Sequence, residues 1–309
     1  LTLISLLPAY CLLPPVAGCL LPLLECSWVV GRLDLSGAYT SRLVTCRGPS
    51  WPEDTAMEKV HPKHTGKGHL EHGRRVHLGQ SRKDVSLYDT TLRDGAQTAG
   101  ISFTVDDKIK IARRLDDIGI DYVEGGWPAP GNKADIEFFR RAAQERFRHA
   151  KIVAFGMTRR ARTSADQDPQ VRSLLNSGVG TVCIVGKSCD LHVTEALKIG
   201  LEQNLSMIED TLRFLKSHGL EVIFDAEHFF DGFKHNSAYA AATLEAAQAG
   251  GADTVVLCDT NGGSLPEEIV QAVEAAKKVV SVRLGIHTHN DSDLAVANTI
   301  AAVACGASH

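Results

Sequence analysis

The stretch LYDTTLRDGAQ, Leu87–Gln97, leaves a β-strand in an unusual way. Leu87 and Tyr88 close an apolar, strand-like run, DVSLYDT (84–90). Asp89, Arg93 and Asp94 then crowd into the turn with two threonines and a glycine. A turn whose only task is to reverse the chain does not need these charges. A surface salt bridge in a loop is one reading. A ligand lying against Arg93 and Asp94 is the other. Whether this strand end stands alone or is one of several decides between them, and it decides the fold as well.

It is one of several. From Asp84 onward short apolar runs alternate with amphipathic stretches. The strand-like runs after DVSLYDT are IDYVEGG (120–126), KIVAFGM (151–157), GTVCIVG (180–186), LEVIFDAE (220–227), DTVVLCD (253–259) and VRLGIHTH (282–289). Helical spacing is read over Asp106–Ile118, Ile136–Phe147, Leu205–His218, Ser237–Ala249 and Glu267–Val279. Strands alternating with helices in units of about 30 residues imply a parallel sheet with crossover helices. A doubly wound open sheet and a (β/α)8 barrel both fit this alternation. No GxGxxG loop follows the first strand, which weakens the dinucleotide-binding open sheet. Polar residues stand at the C-terminal end of nearly every strand: Asp89–Asp94, Glu124, Lys187, Asp225–Glu227, Asp259–Asn261 and His287–Asn290. That pattern predicts a (β/α)8 TIM barrel with a site assembled at its top face.

Within that face the sharpest constellation is GIHTHND (285–291). Side chains alternate along a strand, so His287 and His289 point the same way and Thr288 the other. Two imidazoles could cap a core with satisfied hydrogen bonds. Read together with the acidic loop on the first strand, they predict a metal site, with Asp94 as third ligand. The first and seventh strands of an eight-stranded barrel are separated only by the eighth, so their loops can meet. Two nitrogens and a carboxylate, with places left open, suit a catalytic divalent ion: Mg2+, Mn2+, Co2+ or Zn2+. Arg93 would then face negative charge on the bound substrate. Asp89 and Gln97 would hold the loop.

The motifs LYDTTLRDGAQ and HTHND together resemble the metal-dependent barrel lyases and synthases typified by 2-isopropylmalate, homocitrate and citramalate synthases. The segments YVEGGWP (122–128), GKSCDLHV (186–193), FDAEHFFDG (224–232) and LCDTNGG (257–263) resemble the citramalate synthase branch most. The resemblance covers about residues 84–309. It implies a Claisen-type condensation of acetyl-CoA with a 2-oxo acid, pyruvate to (R)-citramalate in isoleucine biosynthesis. It also implies Asp94, His287 and His289 as metal ligands and Arg93 as the group that contacts the 2-oxo acid and the developing alkoxide. Glu227 matches the active-site glutamate of the family, and Thr260 the threonine that binds the substrate carboxylate. The alternatives for these two are a buried salt bridge with His228 and a turn or capping role before Pro266. Gln97 stands where aldolase relatives usually carry histidine. Other reactions on this frame are 2-isopropylmalate synthesis and aldolase or CoA-ester lyase chemistry; a fragment without activity is a further alternative. The resemblance also implies a cytoplasmic enzyme, homodimeric at full length. Relatives continue into an eighth strand that bears an asparagine ligand. CGASH (305–309) reads as part of the helix after the seventh strand, so the expectation is a barrel with about seven βα units and the eighth strand missing.

Composition bounds the rest. The 309 residues are 44% hydrophobic and 23% charged, an ordinary globular profile. A net charge of −4 gives no broad attraction for nucleic acid. Eight cysteines without a CxxC pair argue against a disulfide framework. Residues 1–30 are apolar but lack a basic n-region, and Pro8, Pro14, Pro15 and Pro22 interrupt any helix. Neither a signal peptide nor a membrane span is expected. The chain begins with Leu, and Met57 is one possible start. His61, His64, His69, His72 and His77 lie among Gly, Lys and Arg, which predicts a solvated linker rather than a metal tract. Residues 1–80 are therefore expected to be a poorly structured extension, and 81–309 a partial catalytic barrel.

Overall fold

The structure, a computed structural model, describes residues 85–309 and two strands nearer the N-terminus. Those two, Ser27–Leu33 and Tyr39–Thr45, pair antiparallel, a hairpin that the sequence reading did not anticipate. Most of the apolar opening, Met57 and the histidine tract lie outside the described residues. The chain divides into two units, Leu1–His77 and Leu78–His309. Among the described residues, no helix is long and apolar enough to cross a membrane.

The second unit is the predicted alternation. Its strands are β1 (Tyr88–Asp89), β2 (Tyr122–Gly126), β3 (Lys151–Met157), β4 (Thr181–Lys187), β5 (Glu221–Glu227), β6 (Thr254–Asp259) and β7 (Arg283–Thr288). They form one parallel sheet in sequence order, from β1 to β7. Most are buried on both faces, as parallel strands covered by helices should be. The helices are α1 (Val105–Asp117), α2 (Lys133–Ala142), α3 (Pro169–Asn176), α4 (Leu201–Ser217), α5 (Phe229–His235), α6 (Ser237–Ala249), α7 (Pro266–Val279) and α8 (Ala295–Ala304). Their starts follow local chemistry. Thr104 and Asp107 form a reciprocal capping box before α1, Asp168 caps α3 with Pro169 behind it, and Asn236 caps α6.

Two apolar layers result. Leu92, Ile109, Phe138, Phe139, Leu174, Ile184, Ile208, Leu212 and Phe224 belong to the large cluster that joins sheet and helices. Tyr122, Val153, Phe155, Cys183, Ile223 and Val256 fill the inside of the curled sheet, with Tyr88, Trp127 and Val185 against them. Two glycines set the seam between β2 and α2. A Cβ on Gly125 would strike the Phe138 ring, and one on Gly126, at φ 144°, would strike Asp135.

Two expectations need correction. The first strand, read over 84–90, is in the ladder only at Tyr88–Asp89. Leu87 gives its N–H to the Asp121 carboxylate at 2.7 Å instead of to a strand. The end of the chain differs too. Residues 305–309 are not helical beyond the α8 terminus. Gly306, at φ 111°, turns the chain, and Ser308 and His309 run between β7 and the start of β1. Ser308 N–H donates to Leu284 O at 2.8 Å, Ile286 N–H to His309 O at 2.8 Å, and Ser86 N–H to Ser308 O at 2.9 Å. The sheet has seven strands, so the barrel is incomplete as expected, and Ser308 and His309 add backbone hydrogen bonds between β7 and the residues before β1. His309 is buried there, edge-on to Tyr88 and Tyr122, and burial pushes its imidazole down to about 4.

One carboxylate pins a long connection. Asp116, in the last turn of α1, accepts the backbone N–H groups of Arg148, His149 and Ala150 at 2.8–2.9 Å, just before β3. Burial opposes its charge, yet those N–H groups hold it below the usual carboxylate range. A depressed folded value means that its stabilising contribution is complete above the unfolded value, near 4, and is lost as pH falls through the folded one. Asp116→Ala leaves those donors unpaired and is expected to cost about 2–4 kcal/mol in urea unfolding at pH 7. The difference between wild type and variant should shrink steadily below about pH 4.

Candidate active site

The predicted residues gather where the strands end. Asp94 follows β1 and caps a short 3-10 turn, Gly95–Gln97. His287 lies on β7, opposite Cys258 of β6. His289 is one residue past β7, but its N–H still reaches Asp259 O at 3.3 Å, so the alternation continues. The two rings lie 4.9 Å apart with a tilt of 37°, on one face as the i, i+2 spacing requires. Asp94 Oδ2 is 3.5 Å from His287 Nε2 and 3.4 Å from His289 Nε2. The hydrogen bond from His287, and the charges of Arg93 and both histidines, hold the Asp94 carboxyl down at about 2 despite partial burial.

These separations fit one shared ion. Ligands at about 2.0–2.2 Å from a cation stand roughly 2.8–3.6 Å apart at octahedral or tetrahedral angles. A second trio shares the histidines: donor atoms of Cys258, His287 and His289 all lie within 4.8 Å of one another. In the Asp94 trio the carboxylate lies within 3.5 Å of both rings. This trio uses the Nε2 atoms of both rings, whereas Cys258 Sγ sits 3.4 Å from Nδ1 of His287.

Arg93 is fixed from three sides. Its Nε donates to Glu124 Oε1 at 2.5 Å, its Nη1 is 3.3 Å from Asp94 Oδ1, and its guanidinium lies 3.8 Å from the centre of the Phe155 ring. Tyr88 Oη donates to the other Glu124 oxygen at 2.6 Å. Burial raises the Glu124 carboxyl above its ordinary range, against the pull of Arg93 and Tyr88. Burial works against the charge on Arg93, but Glu124 and Asp94 outweigh it, so its affinity for the proton rises. Sequence reasoning gave Glu124 no role beyond a polar strand end, and it did not name Phe155 as a site residue or Tyr88 as more than the end of a strand. The polar end of IDYVEGG was the available signal for Glu124.

The remaining predicted residues fall around the same cavity, of about 490 Å³, lined on one side by Arg93, Asp94, His287 and His289 and on the other by Trp127, Met157 and Met207. Glu227 is paired with Lys187 at 2.5 Å, not with His228. The Thr260 hydroxyl accepts the His228 N–H at 2.7 Å and points to Cys258 Sγ at 3.2 Å. His228 carries a left-handed backbone at φ 57°, a strained conformation for a non-glycine residue. Gln97 lines the cavity. Asp89 does not reach it; its carboxylate accepts the Thr91 N–H at 3.0 Å and so shapes the loop.

The chain is similar to several known proteins. The (R)-citramalate synthase of Aquifex aeolicus is 55% identical over 224 residues, covering 72% of this chain and 42% of that protein. The (R)-citramalate synthase of Sulfolobus acidocaldarius is 50% identical over 227 residues, covering 74% and 43%. A 2-isopropylmalate synthase from the same organism is 31% identical over 226 residues, covering 73% and 55%. The chain thus spans less than half the length of the citramalate synthases that it matches. In fold it is similar to a Bacillus subtilis HMG-CoA lyase, with a TM-score of 0.62 at 18% identity, over 73% of this chain and 75% of that one. Residues 84–309 match the HMGL-like family model from the first strand through the paired histidines to the last residue, and the chain belongs to that family.

Proposed function

We propose that residues 84–309 form the 2-oxo-acid and metal half of an acyl-CoA:2-oxo acid synthase, of the kind that joins acetyl-CoA to pyruvate as (R)-citramalate. The observation that carries it is the meeting of Asp94 Oδ2 with both Nε2 atoms within 3.5 Å, with the Arg93 guanidinium alongside. In this reading Asp94, His287 and His289 hold a divalent ion. When bound, that ion supplies Lewis-acid polarisation of the 2-oxo carbonyl. The similarity to citramalate synthases at 50–55% identity, against 31% for the 2-isopropylmalate synthase, favours pyruvate as the acceptor.

The chain's own residues have distinct tasks. Glu124 and Phe155 hold the Arg93 guanidinium so that its remaining donors face the oxygen on which charge develops. The Thr260 hydroxyl, set by His228 N–H, is placed to orient the substrate carboxylate. The Glu227–Lys187 pair lines the same cavity and would place charge beside the bound substrate. The apolar wall of Phe155, Met157, Val185 and Met207 excludes water from the reacting carbons and limits the size of the 2-oxo acid.

A chimera tests this. Residues 84–309 replace the matching segment of the Aquifex aeolicus enzyme, and thiol release from acetyl-CoA is followed with pyruvate, 2-oxoisovalerate and 2-oxoglutarate. Activity should require a divalent ion and favour pyruvate. Preference for 2-oxoisovalerate would replace the reading by 2-isopropylmalate synthesis. Full activity in the presence of a strong chelator would sink it.

A further inference from the structure

We propose that Asp225 is a positioning residue of this site: its carboxylate takes the hydrogen bond from His287 Nδ1 and leaves Nε2, the nitrogen on the Asp94 side, as the atom that would ligate an ion, and so makes Asp94, not Cys258, the third donor. The inference rests on the metal reading above and adds to it a residue with no role so far.

Asp225 lies on β5, between Val185 of β4 and Val256 of β6, and is buried. Its Oδ2 is 3.0 Å from His287 Nδ1. Its Oδ1 is buried and has no partner among the described residues. A buried carboxylate carries a large desolvation cost, usually met by several donors. Here a single ring nitrogen meets it. Asp225 therefore does not serve to tie elements together in the way Asp116 does. Among the described residues its one hydrogen-bonding partner is the ring that faces Asp94.

Two acceptors compete for that nitrogen. Cys258 Sγ is 3.4 Å from Nδ1 and Asp225 Oδ2 is 3.0 Å. A charge-assisted hydrogen bond is about twice as strong as a neutral one, so Nδ1–H donates to the carboxylate and keeps its proton. A neutral imidazole has one donor and one acceptor nitrogen. With Nδ1 donating to Asp225, Nε2 is the nitrogen left to ligate an ion shared with Asp94, whose Oδ2 is 3.5 Å away. Ligation beside Cys258 would instead require the Nδ1 lone pair. The sulfur is also engaged from its other side by the Thr260 hydroxyl at 3.2 Å.

The test uses the whole 309-residue chain and needs no turnover. Mn2+ affinity is measured by calorimetry for wild type, Asp225→Asn, Cys258→Ser and Asp94→Asn. Loss of an outer partner of a ligating histidine typically weakens metal binding about 10–100-fold, and that is expected for Asp225→Asn. Cys258→Ser should bind as wild type does, and the Co2+-loaded chain should lack thiolate-to-metal absorption in the near ultraviolet. An observation on the unsubstituted chain guards against misfolded variants. With Zn2+ bound and histidine labelled with 15N, the His287 proton should be on Nδ1. A proton on Nε2, or a thiolate band that Cys258→Ser removes, overturns the proposal. Wild-type affinity in Asp225→Asn, with binding lost in Asp94→Asn, overturns it too but leaves the metal reading standing. If Asp94→Asn binds Mn2+ normally, the metal reading fails and this inference fails with it.

Discussion

Replacing Arg93 by lysine in the chimera is expected to lower turnover by about 10²–10³ while Mn2+ affinity changes little, since loss of one oxyanion-stabilising donor typically has that effect. The reason is the way the guanidinium is held. One edge is taken by Glu124 through Nε, one flank touches Asp94, and the plane lies on Phe155. A planar fork can satisfy these contacts and still offer donors to the substrate. An ammonium is a point charge on a flexible stem. Paired with Glu124, it leaves the substrate oxygen unserved; turned to the substrate, it leaves a buried carboxylate without its partner. Both outcomes lower the rate, and neither removes a metal ligand. A steady-state comparison together with a Mn2+ titration separates the two effects. An Arg93→Lys variant with near-normal turnover would refute the role assigned to Arg93.

The structure also explains which parts of this site a sequence can disclose. Apart from the first, the strands of the parallel sheet were legible nearly to the residue, because apolar runs bounded by turns fix their own extent: Lys151–Met157 is as read, and Arg283–Thr288 loses a residue at each end. Ser237–Ala249 was likewise read at its full length. Three short elements were not read: Pro169–Asn176, Phe229–His235 and the wide turn His192–Leu197. Each spans only about two turns, too few for a period to declare itself. Ile136–Phe147 was displaced toward the C-terminus, since the helix runs Lys133–Ala142 with Asn132 as its cap. The common face of His287 and His289 was legible because residues at i, i+2 on a strand share a face by geometry alone. Glu124 and Asp225 were not assigned. Their partners, Arg93 and His287, are 31 and 62 residues away, and only the order of strands around the sheet brings them together. The approach of Cys258 to His287 is likewise a matter of register between β6 and β7.

That difference between the two histidines shapes the other large effect. His287 is tied to Asp225 and Cys258 as well as to Asp94, so its loss would disturb packing and metal together. His289 is simpler. Its ring is about 30% exposed, and among the described residues the polar group its nitrogens meet is Asp94. Truncating it removes little apolar contact, so His289→Ala should melt within about 0.5 kcal/mol of wild type when no metal is added, as exposed substitutions generally do. Removing a ligand should, however, exceed the 10–100-fold loss typical of outer partners, so Mn2+ affinity is expected to fall by more than about 10². The stabilisation that saturating Mn2+ gives the folded state should fall in step, because a ligand stabilises by RT ln(1 + [L]/Kd). Thermal melts with and without Mn2+ thus read both quantities on one sample. A variant that loses stability without metal would make His289 a packing residue. One that keeps the full Mn2+-dependent rise in melting temperature would remove it from the ligand set, and with it the proposal that Asp94, His287 and His289 hold the ion on which the synthase chemistry depends.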